Sequence, residues 1–339
     1  MKALVYTAPE QLQVQEYPMP VPAAGEVRIK VRYCGICGSD VHGYLGKTGR
    51  RIPPMVMGHE FSGVIDAVGD GVTGLTAGTP VAVEPLLFCG ECEACRSGRT
   101  NMCVDKSFLG VFRENGAMME YICVPQQYVI PLSSEIPLQY GAAIEALAVG
   151  YRGSRQAGDL KGKNVVIIGA GTIGLMTLMF VLRQEPACVV VSDLSDARLR
   201  IAASFGAKTV NPAEESVASR LTEWFGRAQA DVTIEVVGAT PTVKQSIDLL
   251  RNGGTAIWIG NAAKLVEVPM QEVVTRELTI QGTNVYTMKE FRQVARMLET
   301  DSLGLDRLIS AVCTLEEAPY YFDKLAHDPG DLVKVLIEL

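Results

Sequence analysis

Hydrophobic and polar residues follow different patterns in the two halves of the chain. In the first part, short apolar runs such as GEVRIKVRYC, FSGVIDAVG, TPVAVEP and MMEYICVP are separated by glycine and proline turns. Runs of this kind predict short strands joined by tight turns. We therefore expect residues 1–148 to form an irregular all-β domain.

From about residue 163, continuous apolar runs alternate with segments of helical periodicity. Six runs are predicted as strands: NVVIIG, CVVVSD, KTVN, DVTIEVVG, GTAIWIG and LTIQGT. Helix-like segments such as TIGLMTLMFVLRQ and ARLRIAASFGA lie between the first of them. Alternation of this kind predicts a doubly wound α/β domain with a parallel sheet. We assign this domain to residues 149–287.

The last part of the chain, residues 288–339, contains a helix-like FRQVARMLET and a strand-like LVKVLIEL. Periodicity alone leaves open whether this segment returns to the first domain. A length of 339 residues exceeds the size at which one hydrophobic core stops growing, so two domains are the natural expectation.

Composition narrows the classes of partner. A formal net charge of −7 argues against nucleic acids and anionic membranes, because neither polyanion gains from an acidic surface. Residues 164–182 carry no charge and could be mistaken for a membrane-spanning helix. Glycines interrupt this run, however, at a spacing that is typical of a nucleotide-binding turn. The first residues show no apolar stretch typical of a signal peptide. We expect a cytoplasmic protein that acts on a small molecule.

Four cysteines lie within fifteen residues, in CGECEACRSGRTNMC: Cys89, Cys92, Cys95 and Cys103. Thiolates at such spacing can complete a tetrahedral zinc shell. The alternative is two disulfides in an exposed loop. The other cysteines are scattered singly, which does not resemble a secreted disulfide framework and favours a reducing compartment. We predict a structural zinc lobe at about residues 86–106, because four thiolates leave no position for a substrate.

The sequence G-A-G-T-I-G directly follows the first buried run and precedes a helix-like segment. Its glycines, Gly169, Gly171 and Gly174, allow a tight turn and a close approach to a pyrophosphate at the helix N-terminus. Asp193 ends the next apolar run and is placed to accept the ribose hydroxyls of an adenosine. A Gly-rich turn that binds no nucleotide is the alternative.

We favour NAD over NADP as the cofactor, because the carboxylate of Asp193 would repel a 2′-phosphate. Arg198 and Arg200 leave NADP open, since a nearby arginine can accommodate that phosphate, although Arg198 can instead brace the ribose. The predicted cofactor-binding residues are Gly169, Gly171, Gly174, Ile173, Asp193 and Arg198.

Two further motifs, CGSDVH at residues 37–42 and GHE at residues 58–60, each place a potential metal ligand beside a carboxylate. Together with the glycine motif and the cysteine lobe, they resemble the zinc-dependent medium-chain dehydrogenases, and among these the sorbitol, galactitol-phosphate and related polyol dehydrogenases. The resemblance covers nearly the whole chain, from KALVYTAPE through CGICGSDVH, MGHEFSGVI, IEALAVG and IIGAGTIG to VKVLIEL.

This resemblance implies a GroES-like catalytic domain that includes residues 288–339, and a Rossmann domain inserted into it. It also implies two zinc ions per chain. Cys37, His59 and Glu60 correspond to ligands of the catalytic zinc. Glu145 stands where alcohol dehydrogenases use a cysteine, and it would bind zinc directly or through water; the family usually has proline after this glutamate, whereas this chain has Ala146.

Hydride transfer from an alcohol requires loss of the hydroxyl proton, which zinc promotes as a Lewis acid. The resemblance assigns Ser39 as the first proton acceptor and His42 as the shuttle to solvent. Asp40 is expected to orient His59, with a turn-capping role as the alternative. We also expect a homo-oligomer, a tetramer or a dimer, as is usual in this family.

The predicted reaction is oxidation of a secondary alcohol in a polyol or sugar alcohol, free or phosphorylated, by NAD. Basic residues at Lys47, Arg50, Arg51 and Arg113 are candidates to hold a phosphate, or form a solvated face. Alternatives within the fold are an amino-alcohol dehydrogenase of the threonine type and a simple secondary-alcohol dehydrogenase. A zinc-free quinone or enoyl reductase is less favoured, because such an enzyme has no use for Cys37, His59 and Glu60 together. A non-enzymatic zinc-ribbon module for nucleic acid is also less favoured, because it predicts a basic stripe, and this acidic chain shows none.

Overall fold

The computed structural model describes residues 1–112 and 115–339 of the chain, which forms two units. One comprises Met1–Glu145 and Tyr286–Leu339, and the other comprises Ala146–Val285. The first unit is therefore discontinuous in sequence. The roles assigned above to the two domains stay predictions.

The first segment of the discontinuous unit consists mainly of short strands. They are β1 Lys2–Ala8, β2 Gln11–Glu16, β3 Glu26–Ile36, β4 Met55–Val56, β5 Glu60–Val68, β6 Pro80–Val83, β7 Leu86–Leu87, β8 Ser107–Phe108, β9 Tyr121–Pro125 and β10 Val129–Pro131. Its helices are α1 Gly38–Tyr44, α2 Glu93–Arg96 and α3 Leu138–Gln156, the last of which continues into the second unit. Short 3₁₀ turns span Thr100–Met102 and Gln126–Tyr128.

The second unit alternates strands and helices: β11 Asn164–Ile168, α4 Thr172–Leu182, β12 Cys188–Ser192, α5 Asp196–Ser204, β13 Lys208–Val210, α6 Val217–Phe225, β14 Ala230–Glu235, α7 Thr240–Asp248, β15 Leu250–Trp258, α8 Met270–Thr275 and β16 Thr279–Gly282. The chain then returns to the first unit with α9 Met288–Met297, a 3₁₀ turn at Leu305–Arg307, β17 Ile309–Thr314, α10 Ala318–His327 and β18 Lys334–Glu338.

The main sheet of the first unit has seven strands, in the order β10-β6-β5-β3-β18-β17, with β9 also paired to β3. Its central strand β3 shows why the sequence folds this way. Val27, Ile29 and Val31 are fully buried and alternate with more exposed polar residues, which is the period of a strand that covers a core on one face. β1, β2 and β4 form a smaller antiparallel sheet.

The sheet of the second unit has six strands in the order β13-β12-β11-β14-β15-β16, all parallel. β11 and β12 are buried along almost their whole length, because helices cover both faces of such a sheet. This confirms the predicted doubly wound α/β fold. The uncharged run 164–182 forms β11 and α4, and among the described residues no helix combines the length and apolarity that a bilayer crossing requires.

Candidate metal centres and cofactor site

The cysteine lobe brings its four sulfur atoms together. Cys92 caps the N-terminus of α2 and Cys95 lies within that helix. All four Sγ atoms lie within 4.8 Å of one another, and the Sγ atom of Cys89 lies 3.5 Å from that of Cys103. A disulfide requires about 2.05 Å, so the disulfide alternative is wrong, and all four cysteines are free.

The lobe fits a zinc ion chemically. Four sulfurs at about 2.3 Å from a tetrahedral metal lie a little under 4 Å apart, and the sulfurs of Cys89 and Cys95 are 4.0 Å apart. Hydrogen bonds from the backbone of Cys95 and of Val104 lower the pKa of the Cys92 thiol to about 6, whereas burial and the bond to Cys92 raise the pKa of the Cys95 thiol to about 12. A metal ion binds all four as thiolates. This lobe can therefore hold a metal with all four positions filled.

A second cluster of potential ligands consists of Cys37, His59 and Glu60, whose ligand atoms also lie within 4.8 Å of one another. The strand register explains why residues distant in sequence meet. β3 and β5 are antiparallel with Gly35 opposite Glu60, so Cys37, just beyond β3, faces His59, just before β5. Gly35 leaves room for the end of the Glu60 side chain, which a Cβ at this position would meet.

The donor set of this cluster is one thiolate, one imidazole and one carboxylate. Three protein ligands of nitrogen, sulfur and oxygen type, with a fourth position open, are typical of a catalytic zinc site. His59 and Glu60 are almost fully buried, while Cys37 is half-buried. The residues present therefore fit zinc.

Asp40 is completely buried beside His59. Its Oδ1 atom lies 3.4 Å from His59 Nδ1 and accepts a 2.5 Å hydrogen bond from Arg51 Nη2. Burial alone would raise the pKa of Asp40, but the charges of His59 and Arg51 lower it well below its usual range. The ionised Asp40 therefore faces Nδ1 of the imidazole, which leaves Nε2 for a metal ion.

The two residues predicted to carry protons lie on α1, close to Asp40 in sequence. Ser39 is exposed and His42 is partly exposed, and Ser39 Oγ accepts a 3.0 Å hydrogen bond from Arg51 Nη2. Partial burial and the charges of Lys47 and Arg51 lower the pKa of His42 below its usual value. A neutral imidazole at this position is able to accept a proton.

The prediction that Arg51 is a candidate to hold a substrate phosphate is wrong. That side chain is 1% exposed and occupied by Asp40, so it is not free for a substrate. Lys47 and Arg50 are exposed, and Arg113 lies outside the described residues.

Glu145 lies on α3 and is buried. It is not among the three residues whose ligand atoms cluster, but it interacts with the charges of His59 and Glu60 and with the Tyr286 hydroxyl. Burial raises the pKa of Glu145 to about 7, against the opposing charge of His59. Direct ligation by Glu145 stays a prediction.

Sequence reasoning missed Lys334, Glu84 and Tyr286. Lys334 forms a buried ion pair with Glu60, and Tyr286 interacts with Glu145. Glu84 is fully buried, and neither of its oxygens has a hydrogen-bond partner among the residues that the structure describes. Two of these residues had a signal in the sequence, since Lys334 and Glu84 interrupt the apolar runs LVKVLIEL and TPVAVEP.

In the second unit, the glycine motif connects β11 to α4. Gly169 has φ of +105°, and a Cβ at Gly174 would lie 2.0 Å from Gly169 O, so both positions require glycine. A Cβ at Gly171, the N-cap of α4, would meet nothing within 4 Å. That open space at a helix N-terminus suits a pyrophosphate.

Asp193 lies next to this turn because β11 and β12 are parallel, with Ile168 opposite Ser192. Its carboxylate accepts hydrogen bonds from Ala170 N at 2.6 Å and from Ser195 N at 2.8 Å. Ile173 lies in α4, and Arg198 is in the first turn of α5, where its amide donates to the N-cap Ser195. The structure thus brings Asp193 to the glycine turn, while the cofactor contacts of Ile173 and Arg198 stay predictions.

Comparison with known proteins gives two family matches. Residues 23–134 match the alcohol dehydrogenase GroES-like domain, and residues 172–300 match the zinc-binding dehydrogenase family. These matches agree with the predicted fold of both units.

Several curated relatives span nearly the whole chain. The 2-dehydro-3-deoxy-L-galactonate 5-dehydrogenase of Pseudoalteromonas atlantica is 32% identical over 100% of this chain and 98% of its own length. D-xylulose reductase A of Aspergillus niger is 33% identical over 96% of this chain and 93% of its own. Among solved structures, galactitol-1-phosphate dehydrogenase from Escherichia coli has a TM-score of 0.91 and 32% identity, with 100% of both chains covered.

Proposed function

We propose that this chain, which belongs to the zinc-binding dehydrogenase family with an alcohol dehydrogenase GroES-like domain, oxidises a secondary alcohol of a polyol or sugar acid with NAD. The observation that carries the proposal is the cluster of Cys37, His59 and Glu60, with Ser39 in the first turn of the helix that Cys37 precedes. A metal centre with an open position and a hydroxyl next to it is what alcohol oxidation requires.

Cys37, His59 and Glu60 would hold the catalytic zinc, which supplies Lewis acidity that lowers the pKa of a substrate hydroxyl. Asp40 would orient the His59 ring, because its Oδ1 atom lies 3.4 Å from Nδ1. Lys334 contacts Glu60 Oε2, so Glu60 retains Oε1 for a metal ion. Glu145, which interacts with the charges of His59 and Glu60, would be a further ligand of the zinc, directly or through water.

The proton released from the substrate passes to the Ser39 hydroxyl, which gives up its own proton in turn. His42 is the proposed acceptor and hands a proton to solvent, because it is exposed and its pKa is lowered. The NAD nicotinamide supplies the acceptor for the hydride. Gly169, Gly171 and Gly174 would receive its pyrophosphate.

NAD rather than NADP is the proposed cofactor. The Asp193 carboxylate is fixed at the glycine turn by the amides of Ala170 and Ser195. A fixed negative charge there favours ribose hydroxyls over a 2′-phosphate.

The substrate class rests on the relatives. The activities in their names concern a deoxy sugar acid, xylulose and a sugar-alcohol phosphate, and each of these compounds is a polyhydroxylated chain. We propose a polyol or sugar acid accordingly. Fewer basic residues support a phosphorylated substrate than the sequence predicts, because Arg51 is paired with Asp40.

We also propose a homo-oligomer, a dimer or a tetramer, in the cytoplasm. Among the described residues, β16 is an edge strand of the six-stranded sheet, and the chain segment that precedes it has exposed apolar residues, including Leu265, Met270 and Val274. Such edges are usually covered. Nine free cysteines suit a reducing compartment.

The test is NAD reduction by purified protein against a matched panel of free polyols, their phosphates, sugar acids and threonine, with zinc counted per chain. We expect two zinc ions and turnover with a polyol or sugar acid. Turnover of threonine alone would favour an amino-alcohol dehydrogenase. One zinc ion or none, with no NAD reduction, would refute the proposal.

A further inference from the structure

Arg51 is an arginine whose side chain is 1% exposed, although most residues of its loop, between α1 and β4, are exposed or partly exposed. A buried guanidinium is costly unless its environment supplies charge and hydrogen bonds. Its Nη2 atom donates to Asp40 Oδ1 at 2.5 Å and to Ser39 Oγ at 3.0 Å. One nitrogen therefore links two neighbouring residues of α1.

Helix α1 leaves space for the Arg51 side chain. Gly43 lies inside α1, and a Cβ there would come within 2.1 Å of Arg51 Cδ. Glycine lowers the stability of a helix relative to alanine. The small residue therefore makes room for the arginine, and the arginine in turn is held against one face of α1.

The two acceptors of Arg51 belong to different parts of the chemistry. Asp40 faces His59 Nδ1 at 3.4 Å, and Ser39 is the proposed first proton acceptor. The bond from Arg51 occupies one lone pair of Ser39 Oγ. The hydroxyl retains another lone pair to take a proton and its own hydrogen to pass on, so one proton enters as one leaves.

We propose that Arg51 is a positioning residue that fixes the Ser39 hydroxyl and the Asp40 carboxylate together, and so couples the proton path to the orientation of the His59 ring. The Ser39 part rests on the function proposed above. The Asp40 part concerns metal retention and does not depend on the proposed function.

Lysine would not replace this residue fully. The guanidinium is planar, with donors in a fixed arrangement, whereas an ammonium is a compact point charge on a flexible stem. Arg51→Lys should therefore retain the charge beside Asp40 but hold Ser39 less firmly. Arg51→Met removes both interactions with a side chain of similar length.

The first measurement is zinc retention by the full-length protein in competition with a chelator. Removing a group that orients a metal ligand typically weakens metal binding about 10–100-fold. We expect that loss for one of the two zinc ions in Arg51→Met and a smaller loss in Arg51→Lys. The zinc of the cysteine lobe is the internal reference, and Arg32→Met, at an exposed position of β3, is the matched control. Retention equal to that of the unaltered protein would overturn the Asp40 part.

The second measurement is a double-mutant cycle with Ser39→Ala, followed by kcat for NAD reduction. If Arg51 acts through Ser39, Arg51→Met should lower kcat about tenfold in the unaltered protein and much less in the Ser39→Ala background. Equal fold losses in both backgrounds would overturn the Ser39 part. If none of the alcohols tested supports NAD reduction by the unaltered protein, the proposed function fails, and the Ser39 part of the proposal fails with it. Zinc retention still decides the Asp40 part.

Discussion

Lys334 and Glu60 form an ion pair in which each side chain is only 1% exposed, and Lys334 Nζ also donates to Ile36 O at 3.3 Å. Burial alone would lower the pKa of Lys334, but the charges of Glu60 and Cys37 raise it above its usual value. The lysine comes from β18, and the glutamate is the first residue of β5. A candidate metal ligand is therefore held by a strand far away in the sequence.

Replacing Lys334 by methionine should destabilise the metal-free protein strongly. The change leaves a buried carboxylate without its counter-charge, which costs about 3–5 kcal/mol. Urea unfolding of the first unit measures this loss. Lys2→Met is the matched control, because Lys2 pairs with Glu316 in an exposed ion pair, and we expect little change there. In a Glu60→Gln background the effect of Lys334→Met should shrink; an undiminished loss would show that the lysine acts through something other than the pair.

Replacing Cys92 by serine should lower the zinc content from two ions per chain to one. Serine does not supply the thiolate that completes the four-sulfur shell. Metal analysis of the purified variant measures the content. Cys123→Ser is the control, because Cys123 is a free thiol outside both clusters, and it should retain both ions. A variant of Cys92 that still holds two ions would argue against the lobe as a metal site.

Glu145→Ala should reduce turnover or occupancy of the centre formed by Cys37, His59 and Glu60. The expected reason is loss of a buried carboxyl that interacts with His59 and Glu60. Zinc content and kcat are measured in parallel with Glu135→Ala, an exposed glutamate. If both quantities match those of the unaltered protein, Glu145 has no part in the site.

Glu84 should make the stability of the protein depend on pH. Burial raises the pKa of Glu84 from 4.5 to about 8, opposed by the charge of Arg292, so between these values the folded state binds more protons than the unfolded state. Stability from this group is therefore lost as pH rises from about 4.5 to about 8. Glu84→Gln does not titrate, and its advantage over the unaltered protein should grow across this window by up to about 5 kcal/mol.

Denaturant unfolding at pH 5 and pH 8 tests this expectation. Glu135→Gln serves as the exposed control. A difference between Glu84→Gln and the unaltered protein that stays constant with pH would mean that Glu84 is already ionised in the folded state.

Asp193→Ala should weaken the preference for NAD over NADP. The carboxylate that would accept ribose hydroxyls and repel a 2′-phosphate is removed, and so is the acceptor for Ala170 N. We expect kcat/KM for NAD to fall about tenfold or more, which corresponds to about 1.4 kcal/mol. Asp196→Asn is the control, since the Asp196 carboxylate bonds Asn211 instead. An unchanged NAD to NADP ratio would argue against this role of Asp193.

The sequence predicted the features that depend on local spacing. The parallel sheet follows from continuous apolar runs, and the glycine turn with Asp193 follows from strand ends that must be neighbours. The two ligand clusters were predicted from spacing and from family resemblance. In each of these cases the relevant residues are close in sequence or lie at the ends of recognisable elements.

The sequence did not predict the partners of these residues. Arg51 was interpreted as a basic surface residue because charge alone does not reveal burial, whereas Gly43 makes the space that buries it. Lys334 reaches Glu60 only because β18 pairs with β3, with Val335 opposite Ile36. Periodicity identifies a strand but not its neighbour in a sheet, so such contacts need the fold itself.

The position of β18 has a consequence for biosynthesis. This strand lies between β3 and β17 in the sheet, yet it follows the whole 146–285 unit in the chain, and Lys334 is 274 positions after Glu60. A ribosome therefore releases the complete inserted unit before the sheet around the candidate metal centre can close. Domains tend to fold as they emerge, so we expect the doubly wound unit to fold first and the metal-ligating unit to mature last.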